Sequence, residues 1–149
     1  MKVVIQRVQK ATCKVLLNNE YQHVSTIGHG YMILVGFTHS DTKETVLKMA
    51  KKIVDLRVFN DEEGKMNLNI KQVNGEILSI SQFTLYADSR KGNRPSFVES
   101  MRPEFALPLY EFFNQTLNEL GVETKPGAFG ENMLLEPYCD GPVTIEMEY

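Results

Sequence analysis

The stretch of sequence that decides the fold is Glu76-Ile77-Leu78-Ser79-Ile80-Ser81-Gln82-Phe83-Thr84-Leu85-Tyr86. It follows the turn signal Asn74-Gly75, so the sequence predicts a hairpin that leads into one strand over residues 76–86. Its apolar first half indicates burial on both faces, where polar side chains need hydrogen-bond partners. Ser81, Gln82 and Thr84 therefore either bond to neighbouring strands or belong to a functional site. The residues alone support both interpretations.

Outward from this stretch, alternating or continuous apolar character predicts further strands. They cover residues 3–17, 21–27, 31–37, about 122–126, 132–137 and 142–148. Asn18-Asn19 is the predicted hairpin turn between the first two of them. Asp61-Glu62-Glu63-Gly64 is predicted to form a second turn.

Two further segments have apolar residues at helical spacing. The first covers residues 42–56 and begins with a segment, Asp41 to Glu44, that resembles a capping box. The second covers about 104–120 and ends at Gly121, with Pro108 near its first turn because a deeper proline would break the helix. This order of elements predicts an α/β fold, in which two main helices cover a mixed β-sheet or partial barrel.

The composition is that of an ordinary globular protein, and it limits the classes of function that the chain can have. Its 149 residues suffice for one domain, and its longest apolar runs, such as Ile33 to Phe37, are too short to cross a membrane. The N-terminus has no export signal, so a cytoplasmic location with Cys13 and Cys139 as free thiols is expected. A net charge of −3 restricts nucleic-acid contact to a local basic patch. Arg90 to Arg94 is either such a patch or a solvated loop.

A second informative segment, Gly141-Pro142, interrupts the last predicted strand. Most X-Pro bonds are trans, so propensity favours a trans proline at the entry of a strand. A pocket built from exposed backbone carbonyls would also use this pair, because glycine permits close approach and proline lacks an N–H group. Phe129, between two glycines, is either a pocket wall or a core residue beside a turn.

Side chains suited to acid–base or metal chemistry do not cluster in the sequence. His23, His29 and His39 all lie in or beside predicted turns, as surface histidines do. No zinc or calcium motif is present, so neither a metal nor a cofactor is expected. Thr84 would be a nucleophile only with a base nearby. Backbone N–H groups at the end of the strand would stabilise an oxyanion without any special side chain.

These motifs resemble, in order and spacing, those of the bacterial D-aminoacyl-tRNA deacylases. The segments that carry the resemblance are Val4–Val8, Leu56–Phe59, Leu78–Asp88, Lys91–Phe97, Phe129–Met133 and Asp140–Thr144. The resemblance covers nearly the whole chain. Cys139 departs from it, since the family usually has Asn there, and Pro137 and Tyr138 replace aliphatic residues.

The resemblance implies an enzyme that hydrolyses the ester bond of D-aminoacyl-tRNA, and of glycine mischarged on tRNA. Ser81, Gln82 and Phe83 would position the ribose and the ester, and Phe129 and Met133 would line the pocket of the terminal adenosine. Two mechanisms remain open. In one, Thr84 attacks the ester; in the other, which the missing base favours, the 2′-hydroxyl of the substrate takes part.

The resemblance also implies a homodimer that forms through the sheet. The Gly141-Pro142 bond would be cis, and its loop would enter the site of the partner subunit, where the two carbonyls exclude L-amino acids. Arg7 would hold this loop in place. Arg90, Lys91 and Arg94 would contact the phosphates of aminoacyl-tRNA.

The alternatives that the residues leave open are a non-catalytic RNA-binding module with the same fold and a general small-molecule esterase. The absence of a GxSxG motif counts against the esterase.

Overall fold

Eight strands, two α-helices and one 3₁₀ helix follow one another in the computed structural model, which describes residues 1–149. The elements are β1 Lys2–Leu17, β2 Glu20–Ile27, β3 Gly30–Gly36, α1 Lys43–Asp55, β4 Arg57–Asn60, β5 Met66–Asn69, β6 Glu76–Ser81, the 3₁₀ helix Phe83–Tyr86, α2 Pro103–Glu119, β7 Thr124–Pro126 and β8 Met133–Glu148. Neither α-helix combines the length and apolar character needed to cross a bilayer.

The main sheet is mixed and curls nearly into a barrel. Strand β1 pairs antiparallel with β2, β3 and β8, whereas β6 and β7 continue the sheet from β3 as parallel strands. The far strand β7 returns towards β2, where the Ser25 hydroxyl donates to the Pro126 carbonyl at 3.2 Å. Lys125 Nζ also donates to the Thr26 carbonyl at 3.1 Å. These contacts almost close the barrel.

The curled sheet has an apolar layer on each side. The larger layer lies between the sheet and the helices, and includes Ile5, Ile33, Met49, Ile53 and Phe113. The smaller layer fills the barrel with Val8, Ala11, Cys13, Ile27, Met32, Leu78 and Ile80. The sheet is therefore buried on both faces along β3 and β6, which is why these strands are almost continuously apolar.

The predicted α/β fold, with a mixed sheet and two covering helices, is confirmed. The hairpin at Asn18-Asn19 is also confirmed, and both residues have the positive φ angles, 50° and 65°, that a tight two-residue turn requires. The apolar stripe predicted on the first helix is buried in α1: Val46, Met49, Ala50, Ile53 and Val54. Gly121 follows α2 with φ of +89°, as predicted.

The prediction of a single strand over residues 76–86 is wrong in its second half. Strand β6 ends at Ser81 because its partner β3 ends at Gly36, and the Gln82 N–H makes the last bond of the ladder, to the Val35 carbonyl at 2.7 Å. Beyond that point the chain finds no strand to pair with and turns into the 3₁₀ helix. The side chains from Gln82 onward therefore do not alternate between two faces of a sheet.

The hairpin predicted at Asn74-Gly75 is also wrong. Strand β6 pairs in parallel with β3, and parallel neighbours need a crossover connection. The chain makes that connection through α1 and the small β4–β5 hairpin. Gly75 instead closes a local turn, in which its N–H donates to the Ile70 carbonyl at 2.9 Å.

Three smaller predictions need correction. The N-cap of α1 is Thr42, which forms its capping box with Thr45, while the Asp41 carboxylate binds the Met1 ammonium at 2.5 Å. Pro108 lies in the second turn of α2 and not in the first. The strands predicted at 132–137 and 142–148 are one long strand, β8.

We predict that Gly30→Ala destabilises the fold by about 3 kcal/mol or more, because two backbones meet there. A Cβ atom on Gly30 would lie 1.9 Å from the Glu76 carbonyl oxygen and 2.7 Å from the Glu76 nitrogen. Urea unfolding followed by circular dichroism measures the loss. Gly28→Ala is the matched control, since its Cβ would meet only the Glu76 carboxylate, at 3.4 Å. Equal losses in both variants would contradict the prediction.

Candidate active site

A cavity opens where the parallel strands β3 and β6 end. It encloses about 640 Å³, and its walls come from the ends of β3 and β6, the 3₁₀ helix, the start of α2 and the segment 129–135 that leads into β8. Ligands commonly bind at the carboxyl ends of parallel strands, and this volume is typical of a small-molecule site. The cavity is therefore the candidate active site.

The cavity brings together five residues that the sequence singled out from two distant segments. Ser81, Gln82 and Phe83 line one side, and Phe129 and Met133 line the other. The first three lie at the point where β6 leaves the sheet. The cavity consequently has a polar side with backbone groups at a strand end, and an apolar side with an aromatic ring and a thioether.

The side chains of Gln82 and Thr84 form a hydrogen bond, in which the Gln82 amide donates to Thr84 Oγ1. Thr84 is exposed and does not line the cavity. No histidine lines the cavity either. His23 bonds to Thr26 and His39 to the Val98 carbonyl. The hydroxyl of Thr84 is thus hydrogen-bonded to an amide and not to a histidine.

Phe83 is fixed by contacts on both its backbone and its ring. The Ser100 hydroxyl donates to the Phe83 carbonyl at 2.9 Å, and the rings of Phe83 and Phe97 meet edge to face at 5.1 Å. Because the first N–H groups of a helix have no acceptor within it, those of Phe83 and Thr84 have no partner in the 3₁₀ helix. Ser100 and Phe97 were not among the predicted site residues, since only folding brings their loop to the cavity.

The apolar side of the cavity rests on a turn with no room for a side chain. A Cβ atom on Gly127 would lie 2.7 Å from Ile80 Cδ1 and 2.9 Å from Met133 Sδ. The Gly127 N–H donates to the Ser79 carbonyl at 2.8 Å. Met133 therefore packs directly on the backbone of the turn, and the turn is tied to β6.

Phe129 is held by the helix behind it. Its ring packs on Tyr110 with the centroids 5.6 Å apart, and the Tyr110 hydroxyl donates to the Ser79 carbonyl at 2.7 Å. Burial raises the pKa of Tyr110, which keeps this hydroxyl protonated as a donor. Tyr110 was missed in the sequence because its position on α2 is typical of a core residue.

Arg7 lies beside the Gly141-Pro142 segment on the other edge of β1. Gln6 pairs with Thr144 and Val8 with Cys139, so the single residue Arg7 faces the four residues 140–143 of β8. Its guanidinium is buried and donates from Nη1 to the Val58 carbonyl at 2.6 Å. Its Nε lies 3.3 Å from the Asp140 carbonyl and 3.1 Å from the Asp140 carboxylate.

The Gly141–Pro142 peptide bond is cis, and both residues are exposed. Gly141 has φ of +113°, a conformation that side chains disfavour, and a Cβ atom there would lie 2.9 Å from Val143 Cγ2 and 3.2 Å from Arg7 Nη2. Neither residue lines the cavity of its own chain. The two motifs that the sequence singled out therefore do not meet within one chain.

The basic loop is the third predicted element, and it is exposed at Arg90, Lys91 and Arg94. Arg90 makes an ion pair with Asp88 at 2.8 Å, which lowers the pKa of the Asp88 carboxyl. No group of three or more His, Cys, Asp or Glu side chains is placed to hold a metal ion. Cys13 is buried and Cys139 exposed, and both thiols are free.

The sequence matches the family model described as D-Tyr-tRNA(Tyr) deacylase over residues 4–148. Curated relatives named D-aminoacyl-tRNA deacylase are 51% identical in Geobacillus sp. (strain WCH70) and 53% identical in Staphylococcus carnosus (strain TM300). Each alignment covers 99% of this chain and 95% of the relative.

Two solved structures share the fold. One, described as c-Myc DNA Unwinding Element Binding Protein, has a TM-score of 0.91 and 39% identity and covers 100% of this chain and 99% of its own. The other, described as a probable eukaryotic D-amino acid tRNA deacylase, has a TM-score of 0.80, with coverage of 98% and 97%. At 17% identity, this second likeness concerns the fold alone.

We predict that Arg7→Lys lowers the free energy of unfolding by about 1–3 kcal/mol, because an ammonium group cannot replace the bonds of the guanidinium to Val58 and Asp140. Faster amide hydrogen exchange at Gly141 and Val143 should accompany the loss. Lys14→Ala is the control. It removes the partly exposed Lys14–Glu136 ion pair, 2.7 Å long, from the same two strands and should cost less than about 1 kcal/mol. Unchanged exchange in Arg7→Lys would contradict the prediction.

Proposed function

The chain belongs to the D-Tyr-tRNA(Tyr) deacylase family, and we propose that it hydrolyses the ester bond between a D-amino acid and tRNA. Water adds its oxygen to the ester carbonyl, the bond to the ribose oxygen breaks, and free D-amino acid and tRNA leave. The observation that carries the proposal is the cavity at the ends of β3 and β6, with Ser81, Gln82 and Phe83 opposite Phe129 and Met133. Curated relatives about half identical over the full chain carry the same activity in their names.

The two sides of the cavity suit the two parts of the aminoacylated end of tRNA, which are the terminal adenine and the ribose with its ester. Phe129 and Met133 offer an aromatic ring and a polarisable thioether, which favour contact with the flat terminal adenine. Ser81, Gln82 and Phe83 offer hydroxyl, amide and backbone groups to the ribose and the scissile ester. The bond of Ser100 to the Phe83 carbonyl supports this assignment, because it fixes the orientation of that peptide.

We assign the assistance of this step to the 2′-hydroxyl of the substrate and not to Thr84. Water remains the nucleophile, and the 2′-hydroxyl accepts a proton from it and donates one to the ribose 3′-oxygen that leaves. The Thr84 oxygen already accepts a hydrogen bond from Gln82 and is not hydrogen-bonded to a base, so it is a poor nucleophile. The protein then contributes positioning of the ester and stabilisation of the oxyanion. The backbone N–H group of Phe83, which lines the cavity, is suited to the second task.

We further propose that the Gly141 and Pro142 carbonyls of one subunit complete the cavity of its partner in a homodimer. Both residues are exposed, and they lie outside the cavity of their own chain. They sit on β8, an edge strand of the sheet, and Arg7 anchors the preceding Asp140. In the partner's cavity the two carbonyls accept hydrogen bonds from the substrate amino group and leave no room for an L side chain.

Such a filter senses chirality and not the identity of the side chain, so achiral glycine mischarged on tRNA is also a substrate. The reaction is a quality-control step of translation and belongs in the cytoplasm, where aminoacyl-tRNA is made and used. The exposed loop that carries Arg90, Lys91 and Arg94 contacts the tRNA, and such contacts weaken as salt rises.

A non-catalytic nucleic-acid-binding module is the second candidate. The observation in its favour is the 39% identical structure whose description names DNA binding. A general esterase is the third, and it would cleave simple D-amino acid esters without tRNA.

The direct test is hydrolysis of matched D- and L-tyrosyl-tRNA by the purified protein after removal of metal ions. We expect rapid loss of the D ester, with the L ester decaying at the rate seen without protein. Cleavage of both esters would contradict the chirality filter. Cleavage of neither would make the binding module the better description, and cleavage of D-tyrosine methyl ester at a similar rate would favour the general esterase.

A pair of variants tests the division of roles. We predict that Thr84→Ala loses ~10-fold or less in kcat/KM, whereas Gly141→Ala reduces the preference for the D ester, because its Cβ crowds Val143 and Arg7. Gly64→Ala is the control, since Gly64 also has a positive φ, +78°, but nothing lies within 4 Å of its added Cβ. A loss of ~10⁴-fold in folded, substrate-binding Thr84→Ala would instead identify Thr84 as the nucleophile.

A further inference from the structure

A loop at the rim of the cavity, residues 88–98, is exposed along nearly its whole length. We call it the rim loop. Its two ends are joined by an antiparallel pair of bonds, from the Asp88 N–H to the Ser96 carbonyl at 2.8 Å and from the Ser96 N–H to the Asp88 carbonyl at 2.9 Å. These two bonds close the rim loop as in a hairpin, and residues 89–95 between them are exposed to solvent.

The three cations of the rim loop are not equivalent. Arg90 donates from Nε to Asp88 Oδ1 at 2.9 Å and from Nη2 to Asp88 Oδ2 at 2.8 Å, and the Arg90 backbone N–H also bonds to Oδ1 at 3.0 Å. The Nε–Nη2 edge of its guanidinium is therefore already occupied by a carboxylate. Lys91 and Arg94 form no ion pair and are exposed.

Apolar side chains continue from the rim loop into the cavity. Phe97 lines the cavity, remains 40% exposed, and meets the 56% exposed Phe83 edge to face. Val98 follows and is 75% exposed. Exposed apolar surface beside a cavity and next to unpaired cations is typical of a binding surface. The arrangement combines an aromatic platform with positive charge, as single-stranded nucleic acid requires.

We propose that the rim loop binds the unpaired nucleotides that precede the esterified terminal nucleotide of tRNA. Phe97 stacks on a base, Lys91 and Arg94 pair with phosphates, and Arg90 shapes the loop through Asp88. The inference rests on the proposed function, since the terminal nucleotide must occupy the cavity for its neighbours to reach the rim. Base-paired RNA does not fit the platform, because its bases are stacked on one another and unavailable to an aromatic side chain.

The test compares two substrates that share the same ester. D-tyrosyl-tRNA can reach both the cavity and the rim loop, whereas D-tyrosine esterified to adenosine can reach only the cavity. Phe97 also forms part of the cavity wall, which serves both substrates. We therefore expect Phe97→Ala to lower kcat/KM for D-tyrosyl-tRNA by about fivefold or more beyond any loss on the adenosine ester. Tyr21→Ala is the control, as Tyr21 is 51% exposed on the β1–β2 hairpin and lies outside this cavity.

Equal losses on the two substrates would overturn the inference, because Phe97 would then act only as part of the cavity wall. No loss on D-tyrosyl-tRNA would overturn it as well. If the unmodified protein hydrolyses neither substrate, the proposed function itself fails, and this outcome is distinct from the other two. Circular dichroism of Phe97→Ala establishes that the variant is folded before the rates are compared.

The salt dependence of kcat/KM distinguishes the roles of the three cations in the rim loop. Lys91→Gln and Arg94→Gln should each reduce the slope of log(kcat/KM) against log[salt] by about 0.7, the value for one phosphate contact on a single strand. The double variant Asp88→Asn/Arg90→Gln keeps the net charge of the loop and should leave the slope unchanged. Lys65→Gln, in the β4–β5 turn, is the control. A slope that falls as far in the double variant as in Lys91→Gln would overturn the role given to Arg90.

Discussion

The parallel pairing of β3 with β6 is the constraint on which the rest of the structure depends. Two parallel neighbours force the chain to cross the sheet, and α1 and α2 serve as the crossovers that lead into β6 and β7. The same pairing brings three strand ends to one edge, and there the cavity forms. It also requires two backbones to touch at Gly30, where any side chain would displace β6. The fold and the location of the site therefore have one physical origin.

A second constraint is that β1 forms hydrogen bonds with other strands along both of its edges. One edge of this strand builds the barrel with β2 and β3, and the other edge carries β8 along nearly its full length. A buried cation needs acceptors, and Arg7 finds them in the Val58 carbonyl and in Asp140. The exposed Gly141-Pro142 segment is thus anchored from beneath by the strand that also forms part of the barrel wall.

Periodicity in the sequence was sufficient for β1, β3, both helices and the hairpin at Asn18-Asn19, because each of these elements is specified by local pattern. It failed at Ser81, since the end of β6 is set by the end of its partner β3, a property of the fold and not of the segment. The cavity residues Ser81, Gln82 and Phe83 were identifiable as polar interruptions of an apolar run. Ser100 could not be identified in this way, because its hydrogen bond to the Phe83 carbonyl is set only by the tertiary arrangement of a long loop.

The four residues of β8 that face Arg7 alone have a consequence for how this protein can change. The pairing of β1 with β8 continues on both sides of residues 140–143, with a second irregularity between Val8 and Lys10. Neither ladder therefore depends on how many residues lie between Cys139 and Thr144. Insertions or deletions in that interval would alter the reach of the segment while the flanking strands keep their partners. The length of this segment can therefore change, in evolution or in engineering, without a change in the pairing of β1 with the rest of β8.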